Sequence, residues 1–330
     1  MWYVYIIRSA SSPAQEYTGL SEDLKQRLKD DNAGKSIHTS KYMPWELVWY
    51  CAFPEKKPAL DFEKYLKSHS GRAFANKRLC SFNNFKYWQQ MSEILLAEEL
   101  IKCNFNPKHP TRGPDFWIET NGKKIWIEVV TPEPKDLPNA YMDGTGDTIP
   151  HTEILLRWTA AIKDKSEKFR KYKNDGLIGD NDICVIAING RLLRGCNDVF
   201  PEFYGISQLS FAVEAALGVG PLQITIETKT MKQVSSELQH RPNIQNRNNA
   251  NVASNIFLDS SHTHIDALWA TDLDEGLLLS RSCSMAIIHN PNCNNKLPLK
   301  LLPAQIEYAA SISAVDYNIE KIAGRLHVVN

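Results

Sequence analysis

The dipeptide Asn121-Gly122 constrains this chain more than any other feature, because it fixes a hairpin and its register together. It separates two runs of alternating character, 115–120 and 123–130. Asn-Gly in that setting favours a two-residue type I′ turn, whose positive-φ residues match the twist of the flanking strands. With Thr120 opposite Lys123, every further pair follows: Glu119 with Lys124, Ile118 with Ile125, Trp117 with Trp126, Phe116 with Ile127, and Asp115 with Glu128. Successive side chains point to opposite faces. Phe116, Ile118, Ile125 and Ile127 therefore make an apolar, core-directed face. The other face holds the two tryptophans and, at the open end, Asp115 beside Glu128. Directly opposed Cβ atoms lie ~5 Å apart. Two carboxylates at that spacing repel unless a cation lies between them or one is protonated. Hard oxygen donors of this kind suit Mg2+ or Mn2+.

Helical patterns flank the hairpin. One runs to about Lys102 and carries Glu93 and Glu98. A longer one, 152–173, has an apolar stripe of Ile154, Trp158, Ile162, Phe169 and Tyr172. Lys165 falls in that stripe where an apolar residue is expected, so it reads either as an inward lysine with a task or as a side chain that snorkels to solvent. A strand is expected over 182–189, and further strands over 221–227, 264–270 and 284–289. The polar, Asn-rich stretch 240–254 reads as a loop.

Before the hairpin, the first eighty residues read as a separate domain. Strands are expected over 2–7, 14–19 and 46–53, a helix over 21–31 capped by Ser21, and further helices over 58–68 and 72–79. Residues 80–87 read as the linker, which gives domains of 1–80 and 81–330. The chain is neutral, with 38 Lys+Arg against 38 Asp+Glu, but the first eighty residues are modestly basic, which is compatible with phosphate contact. Seven cysteines without CxxC spacing fit reduced thiols and a cytoplasmic protein. No apolar run approaches the ~20 residues of a membrane span, and the apolar N-terminus lacks the basic flank of a signal peptide.

Within residues 2–79 an ordered set stands out: Val4-Tyr5, Tyr17-Thr18-Gly19, Arg27, Asn32-x-Gly34, Tyr42-x-Pro44-Trp45, Glu63-x-x-Leu66-Lys67 and Asn76. Phosphodiester cleavage needs a base for the attacking water, a cation for the phosphate and usually a metal ion. Tyrosine hydroxyls, an arginine and a carboxylate supply those groups. The set resembles the GIY-YIG nuclease superfamily, specifically its small single-domain bacterial branch. The resemblance implies a three-stranded sheet flanked by helices, with Tyr5 and Tyr17 assisting the nucleophile, Tyr42 lining the site, Arg27 on the scissile phosphate, Glu63 on Mg2+ and Asn76 in support. Two positions depart from the family. Tyr3 replaces its first glycine, and Asp31 stands where His or Tyr is usual. Asp31 and Arg27 are i,i+4 neighbours, so Asp31 is expected to pair with Arg27 and set a negative charge where phosphate should dock.

The second constellation, over about 88–190, resembles the PD-(D/E)xK nucleases. That resemblance implies a larger mixed-sheet, restriction-endonuclease-like domain, with Asp115 and Glu128 as metal ligands and Glu93 as a third acidic ligand; Glu98 is the rival for that place. The family's lysine position is occupied by Val130, and Lys165 is the candidate for a relocated catalytic lysine. The chain as a whole thus reads as an α/β (α+β) protein and a metal-dependent endonuclease acting on DNA rather than RNA. Two other readings stay open. One is a nucleic-acid-binding protein whose first module does not cleave, because of Asp31. The other is a regulatory protein with residues 191–330 as a partner surface. Oligomeric state is not legible.

Overall fold

The alternation of the first strand decides the architecture of the N-terminal region. In β1 (Trp2–Ser9) Val4, Tyr5, Ile6 and Ile7 are all buried, so both faces need a cover. β1 obtains its neighbours by lying centrally in an antiparallel sheet of order β2-β1-β3, with β2 at Glu16–Ser21 and β3 at Trp45–Phe53. Val4 and Ile6 pack under α2 (Lys56–Lys67) and α3 (His69–Arg78), against Ala59, Leu66 and Ala75. Tyr5 and Ile7 pack with Trp45 and with Leu24 and Leu28 of α1 (Leu24–Asn32). The cap of α1 is Asp23, whose carboxylate accepts from the Gln26 amide at 2.9 Å. Ser21, the expected cap, instead ends β2 and bonds Asp23 from there.

A computed structural model describes the chain apart from residues 13–14, 37–38, 79–84, 147, 196–203, 275–282, 313–316 and 326–330, and apart from the side chains of 73–74, 76–78, 85–86, 312 and 317. It divides into two compact units, Met1–Tyr87 and Trp88–Asn330. The expected linker lies partly outside the described residues. Its last residues, from Phe85, already belong to a helix, α4 (Phe85–Lys102).

The second unit is built on the hairpin. β4 (Phe116–Thr120) and β5 (Lys123–Val130) pair in the register read from the turn, from Thr120 with Lys123 through Phe116 with Ile127. Asn121 and Gly122 take φ of 49° and 74°, the left-handed values that a type I′ turn requires. After α5 (Asn139–Met142) and α6 (His151–Asn174) comes β6 (Ile183–Asn189), buried at every residue and parallel to β5. α7 (Phe211–Leu217) follows, then a two-stranded arm of β7 (Val219–Ile226) and β8 (Gln233–His240). The Asn-rich stretch is not wholly loop, since β9 (Asn243–Gln245) and β10 (Asn251–Ala253) pair across a turn with Asn249 at φ 59°. β11 (Ala267–Thr271), β12 (Met285–His289), β13 (Ile306–Ile312) and β14 (Tyr317–Ala323) complete a seven-stranded mixed sheet of order β14-β13-β12-β11-β6-β5-β4.

Helices cover both faces of that sheet. α4 lays Leu95, Leu96 and Leu100 on Phe116, Ile118, Ile125, Ile127 and Val129, the face expected to be core. α6 lays Ile154, Trp158, Ile162 and Phe169 on Trp126, Val130, Cys184 and Ile186. Each such fully buried side chain contributes roughly 1.5–3 kcal/mol relative to exposure. Two dry faces hold β5 rigidly, and near its C-terminal end that strand carries Glu128.

Candidate functional site

Glu128 sits on the α6 side of β5 and is only 3% exposed. A carboxylate so placed needs a cation, and Lys165 of α6 supplies one, with Nζ donating to Oε1 at 2.8 Å. Lys165 is itself 6% exposed. It therefore does not snorkel, and the break in the apolar stripe of α6 is an ion pair in the core. Lys168, one turn further on, reaches the same oxygen at 3.4 Å. The other oxygen, Oε2, is buried and accepts no hydrogen bond from any described residue. An unpartnered buried carboxylate oxygen is costly, and here it belongs to a residue on which the Asp115 charge acts.

Asp115 immediately precedes β4, and its Oδ2 accepts from the Val129 amide at 2.6 Å. Burial pushes its pKa above the ordinary aspartate value, the Val129 bond opposes this, and the charge of Glu93 adds to the rise. Glu128 is likewise pushed up by burial; Lys165 pulls it down and Asp115 pushes it up again. Glu93, on α4, accepts from Gln89 at 3.1 Å. Gln89 also donates to the Val129 carbonyl and accepts from the Thr131 amide, each at 3.0 Å, so α4 is clamped to the end of β5 beside the acidic pair. Glu98, the rival to Glu93, pairs with Lys102 at 3.2 Å on the outer surface of α4. Among the described residues no group of three His, Cys, Asp or Glu side chains converges as a metal-holding set. The acidic feature is thus a pair with Glu93 close by. Lys168 and Gln89 escaped the sequence reading. Lys168 was legible as the next turn of the helix face that carries Lys165; Gln89 signals itself only through a polar Gln89-Ser92-Glu93 face that nothing in the sequence aims at β5.

The first unit assembles a second constellation. Arg27 Nε donates to the Tyr5 hydroxyl at 2.9 Å and to Asp31 Oδ2 at 3.1 Å. Asp31 is fully buried, and its Oδ1 accepts from Thr39 at 2.8 Å. The Trp45 indole donates to the Thr39 carbonyl at 2.7 Å, which ties this chain of bonds to β3. The Arg27–Asp31 pair expected from the spacing is present, with Asp31 buried beside the Tyr5–Ile7–Trp45 core. Both Arg27 bonds use Nε, and no bond among the described residues engages its Nη pair. Burial, then the neighbouring Asp31 charge, raise the pKa of Tyr5. Gly19 is required beside it, since a Cβ there would lie 2.5 Å from the Tyr5 hydroxyl oxygen.

Tyr17 and Tyr42 pack against the same cluster as Tyr5. Glu63 of α2 is neutralised by Lys67 at 2.6 Å, and Lys67 in turn lies 5.7 Å from the centre of the Tyr17 ring. A cavity of about 400 Å3 opens beside Tyr17 and Thr18, with Lys67 and Arg72 on its wall. Asn76 lies on α3, but its side chain is outside the described residues.

The first unit thus carries two tyrosines, an arginine and a helix-borne glutamate on and around a three-stranded antiparallel sheet, and its family match is to a nuclease-type domain. Residues 1–78 match the family model of the GIY-YIG catalytic domain. UPF0213 proteins of Streptococcus pyogenes serotypes M5 and M2 are each 35% identical to this chain over 72 residues, which is 22% of this chain and 76% of the relative. A UPF0213 protein of serotype M3 is 33% identical over 72 residues, with the same coverage. Through residues 1–78 the chain belongs to the GIY-YIG family. Among the described residues, no helix is long and apolar enough to cross a membrane.

Proposed function

We propose that this protein is a metal-dependent endonuclease acting on DNA, with a PD-(D/E)xK-like hydrolytic site in its second unit and a GIY-YIG module in its first. The observation that carries this reading is Glu128: one oxygen is tied to a buried lysine, the other is buried with no partner among the described residues, and the Asp115 charge acts on the same group. Asp115 and Glu128 would hold a hard divalent cation, Mg2+ or Mn2+, and Glu93, whose charge already acts on Asp115, would have to close on the pair to serve as the third acidic ligand. Bound there, the cation would lower the pKa of a water and polarise the phosphoryl oxygen.

The chain's own residues do the rest. Lys165, fixed by Glu128 and walled by the apolar stripe of α6, stands as the cation that orients the attacking water and offsets charge gained by the phosphate. Lys168 shares Glu128 and, being half-exposed, is placed to meet a backbone phosphate. Gln89 keeps the end of β5 fixed, so the two carboxylates hold their spacing. In the first unit Arg27 offers its Nη pair to phosphate while Asp31 anchors its Nε. Glu63, paired with Lys67 here, is the residue that would hold a divalent ion in the first unit. Localisation in the cytoplasm is part of the same proposal, supported by the scatter of the seven cysteines without CxxC spacing.

Plasmid nicking with Mg2+ or Mn2+ tests the reading, comparing Glu63→Ala, Asp115→Ala and the double variant. Asp115→Ala is expected to remove most cleavage, and the double variant all of it. Undiminished cleavage by the double variant would sink the proposal.

A further inference from the structure

The face of the β4–β5 hairpin that carries Glu128 continues toward the turn as aromatic and basic side chains. Alternate residues of a strand share a face. On this one Trp117 pairs with Trp126, and Glu119 pairs with Lys124 in the next row. Trp126 is buried, and its indole donates to Asp182 at 3.0 Å. Trp117, with its ring centre 5.9 Å away, is half-buried and forms the outer of the two rings. Lys108 lies alongside, outside β4, exchanging backbone bonds with Trp117 at 2.9 and 3.0 Å. The Lys108 and Lys124 ammoniums stand 4.9 and 4.8 Å from the centre of the Trp117 ring, and both lysines are exposed.

The end of α6 extends this surface. Tyr172 packs against the same core cluster as Trp117. Burial and then the Glu128 charge push its hydroxyl above the ordinary pKa, which sets that ring beside the acidic pair. Arg112, in the segment before β4, pairs with Asp175 just beyond the helix. Charge is segregated accordingly. Segments 105–126 and 163–173 hold ten of the second unit's 24 Lys+Arg but four of its 29 Asp+Glu. A unit that is negative as a whole thus gathers cations next to its candidate site, where a polyanion would dock.

We propose that Lys168, Tyr172, Trp117, Lys108 and Lys124 form the track of a single-stranded DNA segment flanking the scissile phosphate, with one base stacked on Trp117. The inference rests on the hydrolytic reading of the second unit and names the form of its substrate. A base covers an indole face when it is unstacked from its own neighbours, and such stacking tolerates any base. Taking the ring displaces two ammoniums that already sit over it, which frees them for the flanking phosphates. Spacing favours the same form. Rows on the hairpin face repeat about every 6.7 Å, whereas a duplex advances about 3.4 Å per nucleotide. One nucleotide per row, from Glu128 to the tryptophans, calls for a strand stretched to about twice that rise, hence unpaired.

Fluorescence anisotropy of the full chain with a short labelled oligothymidylate, in EDTA, reads binding without metal-dependent cleavage. The wild type is expected to bind the single strand about tenfold more tightly than a blunt duplex of equal length. Trp117→Ala is expected to lose about tenfold in single-strand affinity, and Trp117→Phe to keep most of it. Lys108→Ala combined with Lys124→Ala, at exposed positions, is expected to flatten the salt slope by about 1.4, since each phosphate contact on a single strand contributes about 0.7. Equal affinity for strand and duplex overturns the proposal. So does a Trp117→Ala chain that binds within about twofold of the wild type, or an unchanged salt slope in the double lysine variant. Plasmid nicking separates the track from the reading beneath it. Nicking that needs Asp115, with binding indifferent to Trp117, removes the track and keeps the hydrolytic site. Binding that needs Trp117, with undiminished nicking by the Glu63→Ala, Asp115→Ala double variant, sinks the hydrolytic reading and keeps the track as a binding surface.

Discussion

Replacing Lys165 by methionine removes the cation and keeps the volume, so the stability change isolates the charge on Glu128. In the wild type, burial holds the Glu128 pKa above its ordinary value of 4.5. A raised folded-state pKa means that the group's contribution to stability is full below pH 4.5 and is lost as pH rises through the folded value. Lys165 is the leading influence holding that pKa down. Without it the folded pKa climbs further, and the loss at neutral pH grows. Forcing a glutamate to stay protonated at pH 7 costs at most about 3.4 kcal/mol, at about 1.36 kcal/mol per pH unit. Lys168, half-exposed at 3.4 Å, recovers part of this. The expected destabilisation is therefore about 2–3 kcal/mol at pH 7 but under about 0.7 kcal/mol at pH 5. Hydrogen exchange of peptides from β5 and β6 in the full chain measures it at both pH values and keeps the first unit out of the reading. Glu128→Gln with Lys165→Met should restore most of the loss at pH 7. A loss of equal size at both pH values would show that Lys165 acts through packing and not through the Glu128 charge.

Other perturbations follow from the same geometry. Asp31→Ala strips Arg27 and Thr39 of a buried acceptor and should cost about 1–3 kcal/mol in the first unit, read by exchange of β1 and α1 peptides; an unchanged exchange rate would contradict the anchoring role. Gly19→Ala forces the Tyr5 ring aside and should cost about 1–3 kcal/mol, seen as a lower melting temperature together with a shifted tyrosine spectrum. Gly122→Val places a β-branched residue at φ 74° and should lower stability by about 1–2 kcal/mol, whereas Gly122→Asn should cost much less. Chelation of divalent ions should abolish plasmid nicking, and Mn2+ should restore it in the wild type but not in Asp115→Ala.

How far the sequence carried depends on what kind of interaction set each feature. The hairpin and its register were legible because a two-residue turn fixes both, and Asn121-Gly122 admits little else. Lys165 was legible as a break in an apolar stripe, although its partner was not; pairing it with Glu128 needs the 37-residue excursion through α6 to be folded. The clamp formed by Gln89 was illegible, since a glutamine on a mixed helix face carries no mark of the strand it will bond. The Arg27–Asp31 pair was legible from i,i+4 spacing, whereas the full burial of Asp31 was not, because spacing does not say which of two neighbours the core covers. Of the arm only 221–227 read as a strand; its partner β8 (Gln233–His240) was not legible, because its residues are mostly polar and show little apolar alternation. The Asn-rich stretch hid a short hairpin, since its strands are only three residues long and have little apolar pattern to show.

The central claim is that Asp115 and Glu128 form a site for a divalent cation. Anomalous scattering from crystals soaked in Mn2+ tests it most directly. A peak is expected between the two carboxylates, touching Glu128 Oε2 and disappearing in Asp115→Ala. Crystals that bind Mn2+ at Glu63 or elsewhere, with no density between Asp115 and Glu128, would contradict it.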